Sequence, residues 1–218
     1  MISQKKTGII FGATNKIGAA LAGELSKKNC DFIIQDSNRK KLENLWNDLE
    51  KKKSRQTILQ CDHSNLKNLE KIDLAILQKY TKLDFLIITV GYIDFLRPLT
   101  DLSLKDWNKV LDLNLNFYWF ILKKLEYFLK KSQRPRIFFF HNQTISKGKS
   151  YFHAYSVAKA ALKTLTDIYM AERQKFNFDI KIIDLEKNYF SEIEHLINQK
   201  KITNFEKTIS EISDMVFS

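Results

Sequence analysis

The stretch His153-Ala154-Tyr155-Ser156-Val157-Ala158-Lys159-Ala160-Ala161-Leu162 holds the two side chains with the clearest capacity for chemistry. It is alanine-rich and free of Gly and Pro, which predicts a helix. Tyr155 and Lys159 stand one helical turn apart and share a face. A free phenol, with a pKa of about 10, is a poor acid–base catalyst at neutral pH. A nearby ammonium favours the phenolate, which makes Tyr155 a candidate to give or take a proton near neutrality. The plain alternative is a surface tyrosine beside a solvated lysine, and the short Y-x-x-x-K pattern alone does not exclude it.

A second candidate lies near the start of the chain. Gly8-Ile9-Ile10-Phe11 reads as a buried strand, Gly12-Ala13-Thr14-Asn15-Lys16-Ile17-Gly18 as a loop, and Ala19 to Leu25 as a helix. Strand, glycine-bounded loop and helix form the layout of a dinucleotide phosphate site, where loop amides and the helix N-terminus face a pyrophosphate. Asp36 closes the next strand, Phe32 to Gln35. An acid about 20 residues past such a loop can accept from the adenosine ribose hydroxyls and repels the extra phosphate of NADP. Asp36 therefore argues for NAD, with NADP left open by Lys16 and Arg39 nearby; the alternative for Asp36 is the N-cap of a helix from Asn38 to Lys53.

The remaining elements must position these groups. Further strands are predicted at Thr57–Cys61, Leu83–Thr89, Arg136–Phe140 and Asp179–Asp184. Helices are predicted from Asn65 to Tyr80 (Leu66, Leu69, Ile72, Ile76 and Leu77 on the apolar side) and from Leu104 to Lys131 as one long helix. Others follow from Tyr155's stretch to about Arg173, around Ile193 to Ile197, and from Phe205 to Val216. Tyr92 to Asp101 and His141 to Ser150 read as loops. Asn114, inside the long helix, predicts a bend or a wet site, or else a solvent-facing side chain. Alternating strands and helices give an α/β fold: one domain over residues 1–218, a doubly wound parallel sheet of about six strands. Right-handed crossovers bring the glycine loop, Asp36, Asp62, Gly91, the loop after strand five and the Tyr155 helix to the carboxyl edge of the sheet, where ligands bind.

Composition narrows the class. The chain has 218 residues, 44% of them hydrophobic, and a net charge of +11. Its lysines are scattered in twos and threes, without a basic stripe interleaved with aromatics, which argues against nucleic acid. No apolar run approaches the ~20 residues of a membrane span. Cys30 and Cys61 have no metal spacing, so no metal site is expected. The opening run Met1 to Lys6 lacks a signal-peptide layout, and a reducing cytoplasm is the expected location.

On these residues the chain resembles the short-chain dehydrogenase/reductase family over nearly its whole length. Tyr155 to Leu162 is similar to the family's active-site helix, Gly12-Ala13-Thr14 with Ile17-Gly18 to its glycine motif, and Gly91 to the end of its Asn-Asn-Ala-Gly motif. Trp107 to Asn114 resembles the stretch carrying its catalytic asparagine. The resemblance implies a Rossmann fold and hydride transfer between a nicotinamide cofactor and a carbonyl or alcohol. Tyr155 would be the acid/base, Lys159 would bind the nicotinamide ribose and tune Tyr155, and Asn114 would hold a proton-relay water. Gly12, Thr14, Asn15, Lys16, Ile17, Gly18, Asp36, Asp62, His63, Val90 and Gly91 would contact the cofactor, with Asp62 at the adenine. It further implies a homodimer or homotetramer packed through the long helix and the Tyr155 helix, Phe117 to Phe120 supplying apolar surface and Ala158, Ala160 and Ala161 permitting close approach.

Departures from the family pattern set further expectations. Lys16 replaces the middle glycine, where it would crowd or pair with a pyrophosphate. Ile88-Thr89-Val90 replaces Asn-Asn-Ala, a loss of polar support for the loop. Lys187-Asn188 replaces Pro-Gly, and the family's seventh strand is expected to be absent. Counting back from Tyr155, the catalytic serine's post falls on Asn142, with Thr144 or Ser146 as substitutes if the loop is shortened. Asn can still donate to a carbonyl. The second expectation is therefore a dinucleotide-binding or regulatory protein with impaired catalysis. The substrate would be a small molecule bounded by Tyr92 to Leu99, the loop after strand five, and Asn188 to Gln199, with Tyr92, Phe95, Tyr151, Phe152, Tyr189 and Phe190 allowing a partly apolar one.

Overall fold

The computed structural model describes residues 5–50, 52, 54–93, 95–184 and 205–218. Six strands, β1 (Lys6–Phe11), β2 (Cys30–Asp36), β3 (Arg55–Gln60), β4 (Phe85–Ile88), β5 (Arg136–His141) and β6 (Asp179–Asp184), form one sheet in the order β3-β2-β1-β4-β5-β6, with every pairing parallel. This is a doubly wound sheet whose order reverses between β1 and β4, and ligands bind in such folds at the carboxyl ends of the strands flanking that point. No seventh strand is found among the described residues.

Strand alternation sorts the core into two layers. Ile9, Phe11, Leu86, Ile88, Ile137 and Phe139 face one side, against Phe117, Ile121 and Leu125 of helix α5 (Phe117–Lys130) and Leu162 of α7 (His153–Glu172). Ile10, Ile34, Ile87, Phe138 and Phe140 face the other, against α1 (Lys16–Ser26), α2 (Arg39–Leu49) and α8 (Phe205–Met215). Because both faces are covered, the central strands read as unbroken apolar runs. Burying each such side chain stabilises by about 1.5–3 kcal/mol. Helix α8 is held to α1's side by apolar packing of Ile209 and Ile212, and Val216 O accepts from Arg136 Nη1 at 2.6 Å.

Several helices differ from expectation. The predicted helix from Asn65 to Tyr80 is a 3-10 turn (Leu66–Leu69) followed by a short α3 (Ile72–Leu77). Leu66, Leu69 and Ile72 recur every third residue, the period of a 3-10 turn. Leu77, expected in the core, is 49% exposed. The single long helix is instead α4 (Leu104–Leu111), a π-turn (Asp112–Asn116) and α5. The polar loop after β5 contains one turn of helix, α6 (Gln143–Ser146), and His141 belongs to β5. The expectations at Lys187-Asn188, Ile193 to Ile197 and Asn188 to Gln199, with Tyr189 and Phe190, lie outside the described residues, as does the side chain of Thr144.

Candidate active site

Tyr155 and Lys159 are not surface residues: they are 1% and 0% exposed. The Lys159 ammonium lies 5.2 Å from the centre of the Tyr155 ring. The first turn of α7 has no side-chain cap; it is held by packing, Tyr155 sharing an apolar cluster with Ile93, Val110, Ile145 and Phe152. That cluster joins α7 to α4 and to the segments leaving β4 and β5, so the acid/base candidate sits where three carboxyl-edge segments meet.

Asn114 stands in the π-turn and is fully buried, which removes the solvent-facing alternative. Its Nδ2 donates to Val110 O at 2.8 Å, the carbonyl that an α-helix would pair with the Asn114 backbone N–H. The ladder slips accordingly, and Phe117 N reaches Asp112 O, five residues back. Nδ2 also donates to Tyr92 O at 2.6 Å, and Oδ1 accepts from Tyr92 N at 3.1 Å. Both amide hydrogens are thus used inside the protein, while Oδ1, accepting once, keeps a second lone pair. The side chain ties the segment after β4 to the helix.

The glycine loop is braced on two sides. Asn15 caps α1, its Oδ1 accepting from Gly18 N at 2.8 Å. Its Nδ2 donates to Thr89 O at 2.8 Å and contacts Thr89 Oγ1 at 3.0 Å, while the Thr89 hydroxyl reaches Phe11 O and Gly12 O at 2.9 and 3.0 Å. Thr89 therefore restores the polar support that the sequence pattern had implied was lost. Its partners, Phe11 and Gly12, lie far away in the chain, and the local sequence signal is a lone polar residue ending an apolar strand. Val90 O accepts from Tyr118 Oη at 2.5 Å, fixing the backbone just ahead of the exposed Gly91.

The loop fits a dinucleotide. Gly12 has φ +74°, and a Cβ there would lie 2.8 Å from Thr89 Oγ1; a Cβ on Gly18 would lie 2.3 Å from Gly12 O. Only glycine at both posts lets α1 open directly behind the loop, with the amides of Lys16 and Ile17 at its N-terminus. Lys16 does not crowd this front: its ammonium lies 5.5 Å from the Phe205 ring centre.

Asp36 is not a helix cap; Asn38 caps α2, accepting from Lys41 N. Asp36 Oδ2 accepts from Thr14 N at 3.1 Å and Thr14 Oγ1 at 2.7 Å, and Oδ1 from Ser37 N at 2.7 Å. The carboxylate thus braces the glycine loop and keeps limited capacity for a ribose. Asp62 is exposed, and a hydrogen bond from Ser64 N, ahead of the opposing effect of burial, holds its carboxyl below the usual value. His63 beside it is half-buried with its ring edge-on to Phe117, and burial lowers its pKa. In the loop after β5, Asn142 Oδ1 accepts from Ile145 N at 3.0 Å, capping α6. This fixes the amide's orientation and leaves its NH2 to donate. Ser146 Oγ donates to Gln143 O and lies 3.1 Å from His141 Nε2, so its hydroxyl is engaged at the far end of that turn. No helix among the described residues is long and apolar enough to cross a membrane.

The profile described as short chain dehydrogenase matches residues 6–190. An NAD-dependent glycerol dehydrogenase of Listeria innocua serovar 6a is 24% identical over 178 residues, 82% of this chain and 68% of that protein. The crystal structure of the short chain dehydrogenase from Shigella flexneri superposes with a TM-score of 0.82 at 17% identity, covering 95% of this chain and 84% of that one. A metagenomic short-chain oxidoreductase in complex with NADP superposes with a TM-score of 0.79 at 15% identity, over 97% and 89% of the two chains.

Proposed function

The chain belongs to the short-chain dehydrogenase/reductase family, and we propose that it is an NAD(P)-dependent oxidoreductase acting on a small carbonyl or alcohol, with Tyr155 as its acid/base. The observation that carries this reading is a buried ammonium, Lys159, held 5.2 Å from the ring of a buried phenol. A positive charge at that range stabilises the phenolate relative to the phenol. Tyr155 gives its proton to the carbonyl oxygen during reduction and takes one from the alcohol during oxidation. When bound, the nicotinamide supplies or accepts the hydride.

Gly12 to Gly18, Asp36, Asp62, His63, Val90 and Gly91 would hold the cofactor, with Tyr155 and Lys159 at its nicotinamide end. Asp36 places a negative charge at the adenosine end, which favours NAD over NADP. The Listeria innocua relative is NAD-dependent by name, whereas the metagenomic structure carries NADP, so the preference rests on Asp36. Asn114 acts as a positioning residue through Tyr92. Asn142 Nδ2 is the donor for the substrate oxygen.

A second reading, a dinucleotide-binding protein with weak or no turnover, is favoured by one observation: the serine's post holds Asn142, an amide pinned to Ile145 N in place of a freely rotating hydroxyl. Loss of an oxyanion-type donor costs about 10²–10³ in rate. Thermal shift with NAD⁺, NADH, NADP⁺ and NADPH, followed by a carbonyl panel under the stabilising cofactor, separates the two. Stabilisation with turnover is expected; stabilisation without turnover selects the second reading, and no stabilisation by any of the four overturns the first.

The groove between α5 and α7, about 840 Å³ and lined by Leu115, Trp119, Leu122, Ala161, Leu165 and Ile168, is the face we assign to a second copy of the chain. Trp119 and Ile168 are exposed there. Light scattering should give a dimer or tetramer that Ile168→Asp dissociates. Both cysteines are free thiols, and burial pushes Cys30 up to about 12, which makes it an unreactive core residue.

A further inference from the structure

We propose that His153 is a positioning residue that clasps the segment after β4 to the acid/base helix, so that this wall of the site and Tyr155 hold a fixed spacing. The clasp has two rungs. His153 Nε2 lies 2.9 Å from Phe95 O; a carbonyl only accepts, so Nε2 carries the proton. Arg97 N donates to Tyr151 O at 3.2 Å. The Arg97 guanidinium is then anchored, 3.6 Å from Asp106 and over the Phe95 ring.

Burial does not hold the outer part of this loop in place. Past its root at Tyr92 and Ile93, Phe95 and Leu99 are 63% and 59% exposed, so the rungs carry the position of this part of the loop. The His153 imidazole, by contrast, is buried at the base of the clasp, two residues from Tyr155. The backbone supports the same assignment. Tyr151 has φ +69° and His153 φ +30°, a region that side-chain-bearing residues rarely adopt. Such conformations persist only where surrounding contacts over-determine them, and they gather at functional sites. Here the same two residues supply the carbonyl (Tyr151) and the ring (His153) of the two rungs. Ile93, at the root of the clasped loop, packs in one cluster with Phe152 and Tyr155, so the root stays fixed to the acid/base helix while the clasp sets the wall beyond it.

The kinetic side of this assignment rests on the oxidoreductase reading; the exchange side does not. The full chain is compared with His153→Phe, which keeps a flat ring without a donor, and His153→Gln, which keeps an N–H. Amide hydrogen exchange in peptides spanning residues 92–103 should quicken about tenfold in the Phe variant and stay within about twofold of wild type in the Gln variant. On the carbonyl compound that the wild type turns over, KM should rise about tenfold in the Phe variant with kcat held within about threefold, and Gln should restore it. NADH affinity should not change. Arg97→Pro, which deletes the second rung's N–H together with the guanidinium contacts to Asp106 and Phe95 and leaves α7 untouched, should repeat both effects and covers the case of a Phe variant that does not fold. Unchanged exchange, faster exchange with unchanged KM, or a Gln variant as impaired as Phe would each overturn the clasp. A wild type that turns over nothing would instead overturn the oxidoreductase reading, and exchange alone would then decide whether the clasp exists.

Discussion

Asn114 and the backbone of Tyr92 hydrogen-bond in both directions, Oδ1 accepting at 3.1 Å and Nδ2 donating at 2.6 Å. One side chain thus satisfies both polar groups of a loop residue that no strand or helix serves, and its bond to Val110 O creates the π-turn that points it there. Asn114→Leu would leave the Tyr92 N–H and two carbonyls without their partner. The expected cost is on the order of 3 kcal/mol, read as a lower urea midpoint at unchanged slope. A loss under about 0.5 kcal/mol would mean the π-turn stands without the latch.

Asp36 serves two roles that one substitution separates. Asn at this position keeps an oxygen for Thr14 but sets an NH2 where Ser37 N–H now donates. Asp36→Asn should cost about 1–2 kcal/mol of stability. It should also lower the preference for NAD over NADP by about tenfold, because the charge that repels the extra phosphate is gone. Fluorescence titration with NADH and NADPH measures the ratio. An unchanged ratio with lost stability would leave Asp36 as a brace of the loop and nothing more.

At the opposite edge of the sheet, Asp84 joins β1, β4 and the segment before β5. Its Oδ1 accepts from Ser132 Oγ at 2.7 Å and Lys82 Nζ at 3.0 Å, and its Oδ2 from Thr7 N at 2.9 Å. Burial pushes this carboxyl up, but the bonds from Ser132, Thr7 and Lys82 together outweigh it and hold the pKa below the ordinary 3.8. A carboxylate depressed in the folded state stabilises above its unfolded pKa, and that stability is lost as pH falls through the folded value. Asp84→Asn should therefore be less stable than wild type at neutral pH, and the gap should close as pH falls below 3.8. A gap that stays constant across that window, in urea melts, would contradict the ionic role.

What the sequence makes legible follows the range of the forces involved. The central strands are apolar on both faces, so their runs stand out, and their alternation with helices leads to the topology that carries Tyr155 to the carboxyl edge. Asn114 is legible as an anomaly inside a helix. Its partner is not, because Tyr92 lies 22 residues upstream and is reached through backbone atoms. Thr89 is harder still: its side chain replaces a larger polar one by bridging to Phe11 and Gly12, contacts set by the pairing of β1 with β4. The helix expected from Asn65 to Tyr80 fails for a local reason, since spacing by threes fits a 3-10 turn as well as an α-helix. At Asn142, sequence supplies the post, and only geometry assigns its oxygen to α6.

In the proposed reaction Tyr155 moves the proton while Lys159, over its ring, favours the phenolate. Tyr155→Phe removes a single oxygen atom from a packed cluster and leaves the glycine loop, Asp36 and Lys159 in place. The decisive measurement is turnover of the most reactive carbonyl compound by this variant, alongside its NADH affinity by fluorescence titration. NADH affinity should stay within about threefold of wild type and kcat should fall by about 10²–10⁴, the contribution of a positioned acid/base. A variant that binds NADH and keeps wild-type kcat would contradict that role for Tyr155.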